Sequence, residues 1–156
     1  MNATLKEPIR FPDGMVVHCA HTRIVDISQL KPFPGNENDH PLEQIELLAH
    51  IMKDNGVRNP ITVSIQSGFM SKGHGRLLAA QMNGWTKFPI DDQNYESPAH
   101  ETADRVADNK IAELSEIDPL KLKDTILKMP EGFDLRLVGI PELALKELMI
   151  DPNFAP

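Results

Sequence analysis

Residues 61–84 read ITVSIQSGFMSKGHGRLLAAQMNG, and this stretch decides the fold. Apolar and polar residues alternate at 61–65, which predicts a half-buried strand, and the turn that follows predicts a hairpin. The glycine-rich run at 71–76 then gives way to an apolar helical pattern, which Asn83-Gly84 ends. We therefore expect a strand, a hairpin and a glycine-rich loop that opens a helix, in that order.

The sequence before this stretch adds one helix and two short strands. Apolar residues repeat at helical spacing over about 41–55, and Gly56 suits the left-handed residue that ends a helix. Short β-rich runs lie at 15–17 and 24–27, and the proline-rich sequence after them excludes regular structure. The expected order up to residue 84 is therefore strand, strand, helix, strand, hairpin and helix.

The sequence after this stretch predicts a last strand and three helices. Residues 88–90 predict the strand, in which Pro89 indicates a sheet edge or a strand end. Ser97-Pro98 and Asp118-Pro119 each combine a cap residue with a first-turn proline, and a third helix is expected near 141–149. The first of these helices should bury one apolar stripe, formed by Ala103, Ala107, Ile111 and Leu114.

The length of 156 residues argues for one compact domain. We expect an α+β domain with a small mixed sheet, made of residues 15–115 and a C-terminal helical extension at 116–156. Residues 1–14 lack periodicity and predict a flexible arm. The 40% hydrophobic content is sufficient for a core without disulfides.

The charge distribution argues against a broad nucleic-acid-binding face. The formal net charge is −7, and all of the excess acid lies in residues 79–156, which carry 8 basic and 15 acidic side chains. Such a chain has no wide basic surface for holding duplex DNA. The single cysteine, Cys19, cannot form an internal disulfide, and no run of 18 apolar residues is present. We expect a cytoplasmic protein without a membrane partner.

The sequence Gly73-His74-Gly75-Arg76 has the features of an anion site. Glycine permits close approach of the backbone, helix-terminal amides point outward, and a guanidinium binds phosphate through two hydrogen bonds. An ordinary turn followed by a solvated arginine would have the same sequence. These few residues alone leave the two interpretations open.

The surrounding order of motifs resembles the N-terminal domains of the ParB/sulfiredoxin superfamily, in the small form common in phages and mobile elements. The residues that carry the resemblance are Ile27-Ser28-Gln29-Leu30-Lys31-Pro32, Asn36 to His40, Gln44-Ile45, Asn59-Pro60-Ile61-Thr62-Val63, Lys72 to Ala80, Gly84 to Ile90, Asp108 to Leu114 and Gly132-Phe133-Asp134. The resemblance covers roughly residues 15–150. It implies a ParB/sulfiredoxin-like mixed sheet with flanking helices.

The resemblance also implies a nucleotide site. In this superfamily the loop that matches Gly73 to Arg76 wraps the phosphates of CTP or ATP, with Arg76 as the main phosphate ligand. The cofactor-binding residues expected on this basis are Lys72, Gly73, His74, Gly75, Arg76, Asn36, Asn38 and His40. The last three could instead only form turns and cap the following helix.

An acid-Asn pair helps to hold the metal at the phosphates in partition proteins, and Asp108-Asn109 matches it. Carboxylate and amide oxygens suit Mg²⁺. A solvated helix face that Asp108 shares with Glu101 and Asp104 is the alternative interpretation.

Three residues are candidates for acid-base catalysis. His74 could bind phosphate or act as an acid or base, since imidazole in general exchanges a proton near neutral pH, although a loop histidine can simply hydrogen-bond the backbone. Glu43 and Glu46 could serve as a base near the site, although first-turn acids also favour the helix dipole.

The chain departs from two branches of the superfamily. Sulfiredoxins have their reactive cysteine where His74 stands, and Cys19 is far from this loop in sequence, which argues against sulfinic-acid repair. Partition proteins have an acid and then an arginine where this chain has His74 and Gly75, and they add a DNA reader and a dimerisation domain that this sequence does not show. Segregation activity and a preference for CTP therefore do not follow.

The leading hypothesis is a nucleoside-triphosphate-binding domain with Mg²⁺-dependent hydrolysis or phosphoryl transfer in a phage or plasmid DNA-processing context. Domains of this type are also called ParB-like nucleases, so DNA as a substrate stays open. One alternative is a kinase of a small molecule or nucleoside, because the superfamily includes a kinase of free serine. Another is a non-catalytic acidic adaptor for a basic partner.

Overall fold

The computed structural model describes residues 6–36 and 39–150. The helices are α1 (Leu42–Asn55), α2 (His74–Met82), α3 (Pro98–Glu113), α4 (Pro119–Leu127) and α5 (Glu142–Ile150). The strands are β1 (Ile9–Arg10), β2 (Val16–Val17), β3 (Arg23–Asp26), β4 (Ile61–Ser64), β5 (Met70–Lys72) and β6 (Lys87–Gln93). Short 3-10 helices cover Ile27–Gln29 and Leu135–Val138.

The main sheet has four strands in the order β3-β6-β4-β5. β6 pairs with β3 antiparallel and with β4 parallel, and β4 and β5 form the expected antiparallel hairpin. Ile61 lies opposite Ile90 in the parallel pair. The prediction of an α+β domain with a small mixed sheet is confirmed.

The expectation that Pro89 marks a sheet edge is wrong, because β6 lies in the centre of the sheet. Pro89 pairs with Ile24 on one side, whereas the ladder with β4 begins only at Ile90. In an antiparallel ladder only alternate residues exchange hydrogen bonds with a given neighbour. A central strand can therefore hold a proline where neither neighbour requires its missing N–H.

Residues 1–14 are predicted to form a flexible arm, but the described part of this segment, residues 6–14, includes a strand. Ile9–Arg10 pair with Val16–Val17 in a small antiparallel ladder. Phe11 packs against the core, and Met15, at the far side of the turn, is fully buried. An apolar contact at each end of a short turn holds this segment on the domain.

The core lies between the main sheet and the helix pair α1 and α2. The sheet contributes Ile61, Met70 and Phe88, all with no exposed surface. The helices contribute a second buried set, formed by Ile45, Ala49, Met52, Leu77 and Ala80. α2 is therefore fixed over the start of β4, where the glycine-rich loop enters it.

The predicted buried side of α3 is wrong. Ala103, Ala107, Ile111 and Leu114 are all exposed, with Ile111 at 67% and Leu114 at 77%. The buried residues of α3 are Glu101 and Arg105, each 4% exposed. α3 packs through a polar stripe beside β5, so its apolar stripe faces outward.

The C-terminal extension is anchored on α1 by a charged contact. His50 Nε2 donates to Asp134 Oδ2 at 2.6 Å, and Arg136 also pairs with that carboxylate. The hydrogen bonds from Arg136 and His50 lower the pKa of Asp134. α4 and α5 pack together beyond this contact, with Ile126 and Leu148 buried. Within residues 6–36 and 39–150, no helix combines the length and apolar character needed to cross a bilayer.

Candidate functional site

The glycine-rich loop joins β5 directly to α2 through Gly73. Gly73 has a φ of 95°, in the left-handed region that favours glycine. A Cβ atom here would lie 3.0 Å from Ile61 Cγ1 and 3.1 Å from Arg76 Nη1. Gly73 has no side chain to cap the first-turn amides of α2, so these amides remain suited to an anion.

Replacing Gly73 by alanine should destabilise the loop. An alanine at this φ costs about 1–2 kcal/mol, and its methyl group would press on Ile61 and Arg76. We expect Gly73→Ala to lower the free energy of unfolding in urea by at least that amount. Gly75→Ala is the matched control, because Gly75 is helical and its Cβ would make ordinary contacts of 3.4–3.6 Å. Equal stability of the two variants would contradict this explanation of Gly73.

Arg76 is a partly buried cation in the first turn of α2. Its Nη1 donates to the Pro60 carbonyl oxygen at 3.0 Å. No carboxylate in the described part of the chain lies within ion-pair distance of its guanidinium. Burial lowers the pKa of Arg76, and the nearby charge of Asp108 opposes that effect. Because a guanidinium stays charged in proteins, Arg76 is a partly buried positive charge suited to an anionic ligand.

Lys72 connects the loop to α3. Its Nζ lies 3.0 Å from Asp104 Oδ1 and 3.4 Å from Asp108 Oδ1. Burial would lower the pKa of Lys72, but its hydrogen bond to Asp104 and the charges of both aspartates raise it. Tyr95 donates to Asp104 Oδ2 at 2.9 Å and its hydroxyl lies 3.1 Å from Ser71 Oγ. The first half of α3 is thus held to the end of β5.

Glu101 and Arg105 fix the same helix from its buried side. Glu101 accepts hydrogen bonds from Ser64 Oγ at 2.8 Å and Ser67 Oγ at 2.7 Å. The Arg105 guanidinium stacks over the Phe33 ring, 4.0 Å from its centroid. These contacts join α3 to the β4–β5 turn and to the loop before α1.

His74 is held by the backbone of that loop. The Phe33 N–H donates to His74 Nε2 at 3.1 Å. An imidazole nitrogen that accepts a hydrogen bond carries no proton, so this contact requires neutral His74. His74 therefore fixes the loop before α1 against the start of α2.

One cavity of about 230 Å³ brings most of the predicted binding residues together. Its lining includes Asn36, His40, Lys72, Gly73, His74, Gly75, Arg76, Asp108 and Asn109. Gln44, Leu48, Ser71 and Arg105 also line it. The predicted Asn38 lies outside the described residues. Cations and helix-terminal amides form one side of this cavity, and acid and amide groups of α3 form the other.

The structure does not bring Glu43 and Glu46 to this cavity. Both line a separate cleft on the other side of α1, together with His50 and Arg136. Successive residues of an α-helix are rotated by about 100° around its axis. Gln44 and Leu48 face the loop, so Glu43 and Glu46 lie on a different side of α1. The predicted base role of these two glutamates therefore has no support from their placement.

Asp108 and Asn109 are the oxygen donors that the cavity offers a metal. The Asn109 amide nitrogen donates to the Arg105 carbonyl oxygen at 3.3 Å, so the amide oxygen is the end left for a ligand. Residues 6–36 and 39–150 contain no group of three or more His, Cys, Asp or Glu side chains arranged to hold a metal. Mg²⁺ commonly binds through one or two protein oxygens together with substrate phosphates. The donor set therefore fits Mg²⁺ only as part of a phosphate complex.

Comparison with known proteins identifies the family of this chain. No family model matches the chain. The ParB-like nuclease domain-containing protein YnaK of Escherichia coli K12 is 31% identical over 64 residues, which are 41% of this chain and 72% of that protein. The chain belongs to the ParB-like domain family. The match establishes the family and leaves the activity of this ParB-like domain to be argued from its site.

A solved structure supports the same fold. The C-terminally truncated chromosome-partitioning protein ParB of Caulobacter crescentus, in complex with CTP-γ-S, aligns with a TM-score of 0.60. The two chains are 18% identical, and the alignment covers 82% of this chain and 84% of that chain. A second Caulobacter ParB structure, in complex with the centromeric parS site, aligns with a TM-score of 0.48, 17% identity, and 82% and 70% coverage.

Several residues of the site in this ParB-like domain were not predicted from the sequence. Tyr95, Asp104 and Arg105 contact the loop or line its cavity, and Glu101 supports them. The sequence does contain a pattern that could have identified them, because charged residues repeat at helical spacing on α3: Glu101, Asp104, Arg105 and Asp108. A polar stripe normally indicates a solvated helix face, so this pattern favoured the opposite side of α3.

Proposed function

We propose that this ParB-like domain binds a nucleoside triphosphate, with the phosphates at Gly73–Arg76. The observation that carries the proposal is the Arg76 guanidinium, which lies partly buried beside a cavity without a carboxylate partner in the described residues. A buried cation is costly unless an anion balances it. Triphosphate oxygens would supply that charge and would accept hydrogen bonds from the α2 amides.

CTP and ATP are the first nucleotides to test. The Caulobacter ParB structure that shares this fold contains CTP-γ-S, which supports CTP as the first ligand. At 18% identity this likeness does not extend to the residues that contact the base. ATP stays in the panel because the superfamily resemblance includes ATP-dependent members.

Magnesium would be held by Asp108 and Asn109 on the α3 side of the cavity. When bound with the triphosphate, Mg²⁺ would neutralise phosphate charge. Lys72 lies 3.4 Å from Asp108 and 3.0 Å from Asp104, so it can retain Asp104 when Asp108 turns to a ligand. Both acceptors of Lys72 belong to one helix, which keeps the cation beside the phosphates in either arrangement.

We further propose that the bound triphosphate is turned over by transfer of its γ-phosphoryl group, with water as the first acceptor to examine. The cavity supports this proposal because its cationic side would stabilise the charge that develops on the leaving diphosphate. The predicted glutamate base of a kinase-type reaction lies in a different cleft. Water needs no further acceptor pocket.

A thermal-shift panel tests binding directly. CTP, ATP, GTP and UTP are each added with Mg²⁺ and with EDTA. A ligand at 100 times its Kd stabilises the folded protein by about 2.7 kcal/mol, which gives a clear rise in melting temperature. We expect a rise for at least one triphosphate and a smaller rise without Mg²⁺. A panel without any shift would contradict nucleotide binding and favour the acidic adaptor.

Label tracing identifies the reaction. The nucleotide that binds is supplied with a labelled γ-phosphate, alone, with plasmid DNA, and with free serine or nucleosides as hydroxyl acceptors. Release of labelled phosphate supports hydrolysis, and label on a small acceptor supports a kinase. Nicked plasmid would favour a nuclease. Binding without transfer or cleavage would contradict the proposed turnover while leaving the binding proposal intact.

Asp108→Ala should have opposite effects with and without magnesium. In Mg²⁺ the variant loses an oxygen ligand, so nucleotide affinity should fall. In EDTA the Asp108 carboxylate repels the uncomplexed phosphates, so its removal should leave the affinity equal or higher. Calorimetric Kd values in both buffers measure this difference, with Asp124→Ala on α4 as an exposed control. The same loss in both buffers would show that Asp108 is structural.

A further inference from the structure

His40 lies just before the start of α1 and packs against the glycine-rich loop at Gly75. A Cβ atom on Gly75 would lie 3.4 Å from His40 Cε1 and 3.5 Å from His40 Nδ1. His40 and Gly75 line the same cavity as Arg76. The imidazole is therefore packed on the backbone that would bind the phosphates.

The contact with Gln44 fixes the ring proton of His40. His40 Nδ1 lies 3.1 Å from Gln44 Oε1, one helical turn further along. The amide oxygen can only accept, so Nδ1 carries the proton and Nε2 keeps its lone pair. Nε2 is buried and has no hydrogen-bond partner among the described residues.

A buried nitrogen with a free lone pair favours a hydrogen-bond donor, which a bound water or a ligand hydroxyl can supply. Phosphate oxygens are acceptors at neutral pH, so Nε2 of neutral His40 cannot bind them directly. A water or hydroxyl group beside the phosphates has both the proton to give and the oxygen to attack. We propose that His40 is the general base that activates this nucleophile. The inference rests on the proposed nucleotide-binding function and adds its catalytic residue.

The step balances with water as co-reactant. The water oxygen forms a bond to the γ-phosphorus while its proton moves to His40 Nε2. The bond from the γ-phosphorus to the bridging oxygen breaks, and the nucleoside diphosphate leaves with that electron pair. The imidazolium then releases its Nε2 proton to solvent. Imidazole suits this exchange because its unperturbed pKa lies near neutral pH.

His40 differs from the predicted base His74 in the group that its Nε2 meets. In His74 that nitrogen accepts the Phe33 N–H, whereas in His40 it is buried without a partner in the described part of the chain. Gln44 acts as a positioning residue, since it holds the tautomer that leaves Nε2 free to accept a proton.

The test separates binding from turnover in His40→Ala and His40→Gln. We expect kcat for phosphate release to fall about 100- to 10,000-fold, the usual contribution of general-base catalysis. The calorimetric Kd for the nucleotide should stay within about threefold, because Nε2 does not bind the phosphates. Added imidazole should raise the rate of phosphate release by His40→Ala at least tenfold and should not accelerate the wild-type protein. His100→Ala, on the exposed start of α3, is the control with unchanged rates.

Gln44→Ala tests the positioning role with the same two measurements. It should lower kcat by roughly tenfold at unchanged Kd. His40 Nε2 can still accept a proton in this variant, but the tautomer that leaves Nε2 unprotonated is no longer fixed. Gln44→Glu should retain much of the rate, since a carboxylate oxygen also accepts from Nδ1.

The outcomes distinguish this inference from the function on which it rests. Unchanged kcat in a folded His40 variant would overturn the base assignment alone. Wild-type binding without turnover would overturn the base assignment together with the proposed phosphoryl transfer, and would leave nucleotide binding intact. A loss of affinity that accounts for the whole loss in kcat/KM would show that His40 only contacts the ligand, and would also overturn it. Failure of the wild-type protein to bind any triphosphate would overturn the proposed function and this inference together.

Discussion

Arg76→Ala should weaken nucleotide binding by about 1.5–3 kcal/mol, which is roughly a 10- to 150-fold rise in Kd. The loss is large because the guanidinium is partly buried and its charge has no carboxylate partner in the described residues. Charge-assisted bonds to phosphate are about twice as strong as neutral hydrogen bonds. Isothermal titration with the preferred triphosphate, at one ionic strength, measures the change.

Two further variants define what Arg76 contributes. Arg76→Lys keeps the charge but loses the planar pair of donors, so its Kd should lie between those of wild type and Arg76→Ala. Lys72→Ala should have a smaller effect, because Lys72 already pairs with Asp104. Arg58→Ala is the matched control, since Arg58 is exposed and bonds only the Asn55 carbonyl oxygen among described residues. Unchanged affinity in a folded Arg76→Ala protein would contradict the phosphate role.

Local sequence patterns were sufficient for most elements of the fold. The alternation at 61–65 corresponds to the observed strand β4. The cap signals at Ser97 and Asp118 correspond to the observed starts of α3 and α4, and Gly56 follows the last residue of α1. These signals depend on neighbours within one or two turns, so they survive without tertiary information. Pro89 was misassigned because its position in the sheet depends on the register of two neighbouring strands.

The site was harder to predict than the fold, because several of its residues are far apart in the sequence. The loop at Gly73–Arg76 is contiguous in sequence, so its glycines and arginine could be identified together. Glu43 and Glu46 line a cleft away from this loop, and which side of α1 faces the loop depends on tertiary packing that its first turn, without a buried residue before Ile45, does not indicate. The role of His40 depends on a contact with Gly75, 35 positions away, which no local pattern contains.

α3 shows most clearly how tertiary contacts can reverse a sequence pattern. Its alanine-rich stripe predicts the buried side, yet the end of β4 and the β4–β5 turn beside it present the hydroxyl groups of Ser64 and Ser67. A carboxylate that accepts from both hydroxyls satisfies the buried Ser64 and is itself satisfied by two donors. The acceptor that fills this role is Glu101, which also brings Asp108 and Asn109 to the cavity two turns later.

Glu101→Ala should therefore lower the free energy of unfolding by about 2–4 kcal/mol, because it removes the acceptor for the buried Ser64 hydroxyl and the part-buried Ser67 contact and leaves a void. Glu101→Gln should cost less, since its amide keeps one acceptor oxygen and the Ser67 hydroxyl can rotate to accept from its NH₂ group. Urea unfolding of both variants measures the difference. Glu96→Ala, at 87% side-chain exposure just before the same helix, is the control and should change stability by less than about 0.5 kcal/mol. If Glu101→Ala were as stable as this control, the hydroxyl contacts would not hold α3, and the position of Asp108 would have to be fixed by Lys72 and Tyr95 instead.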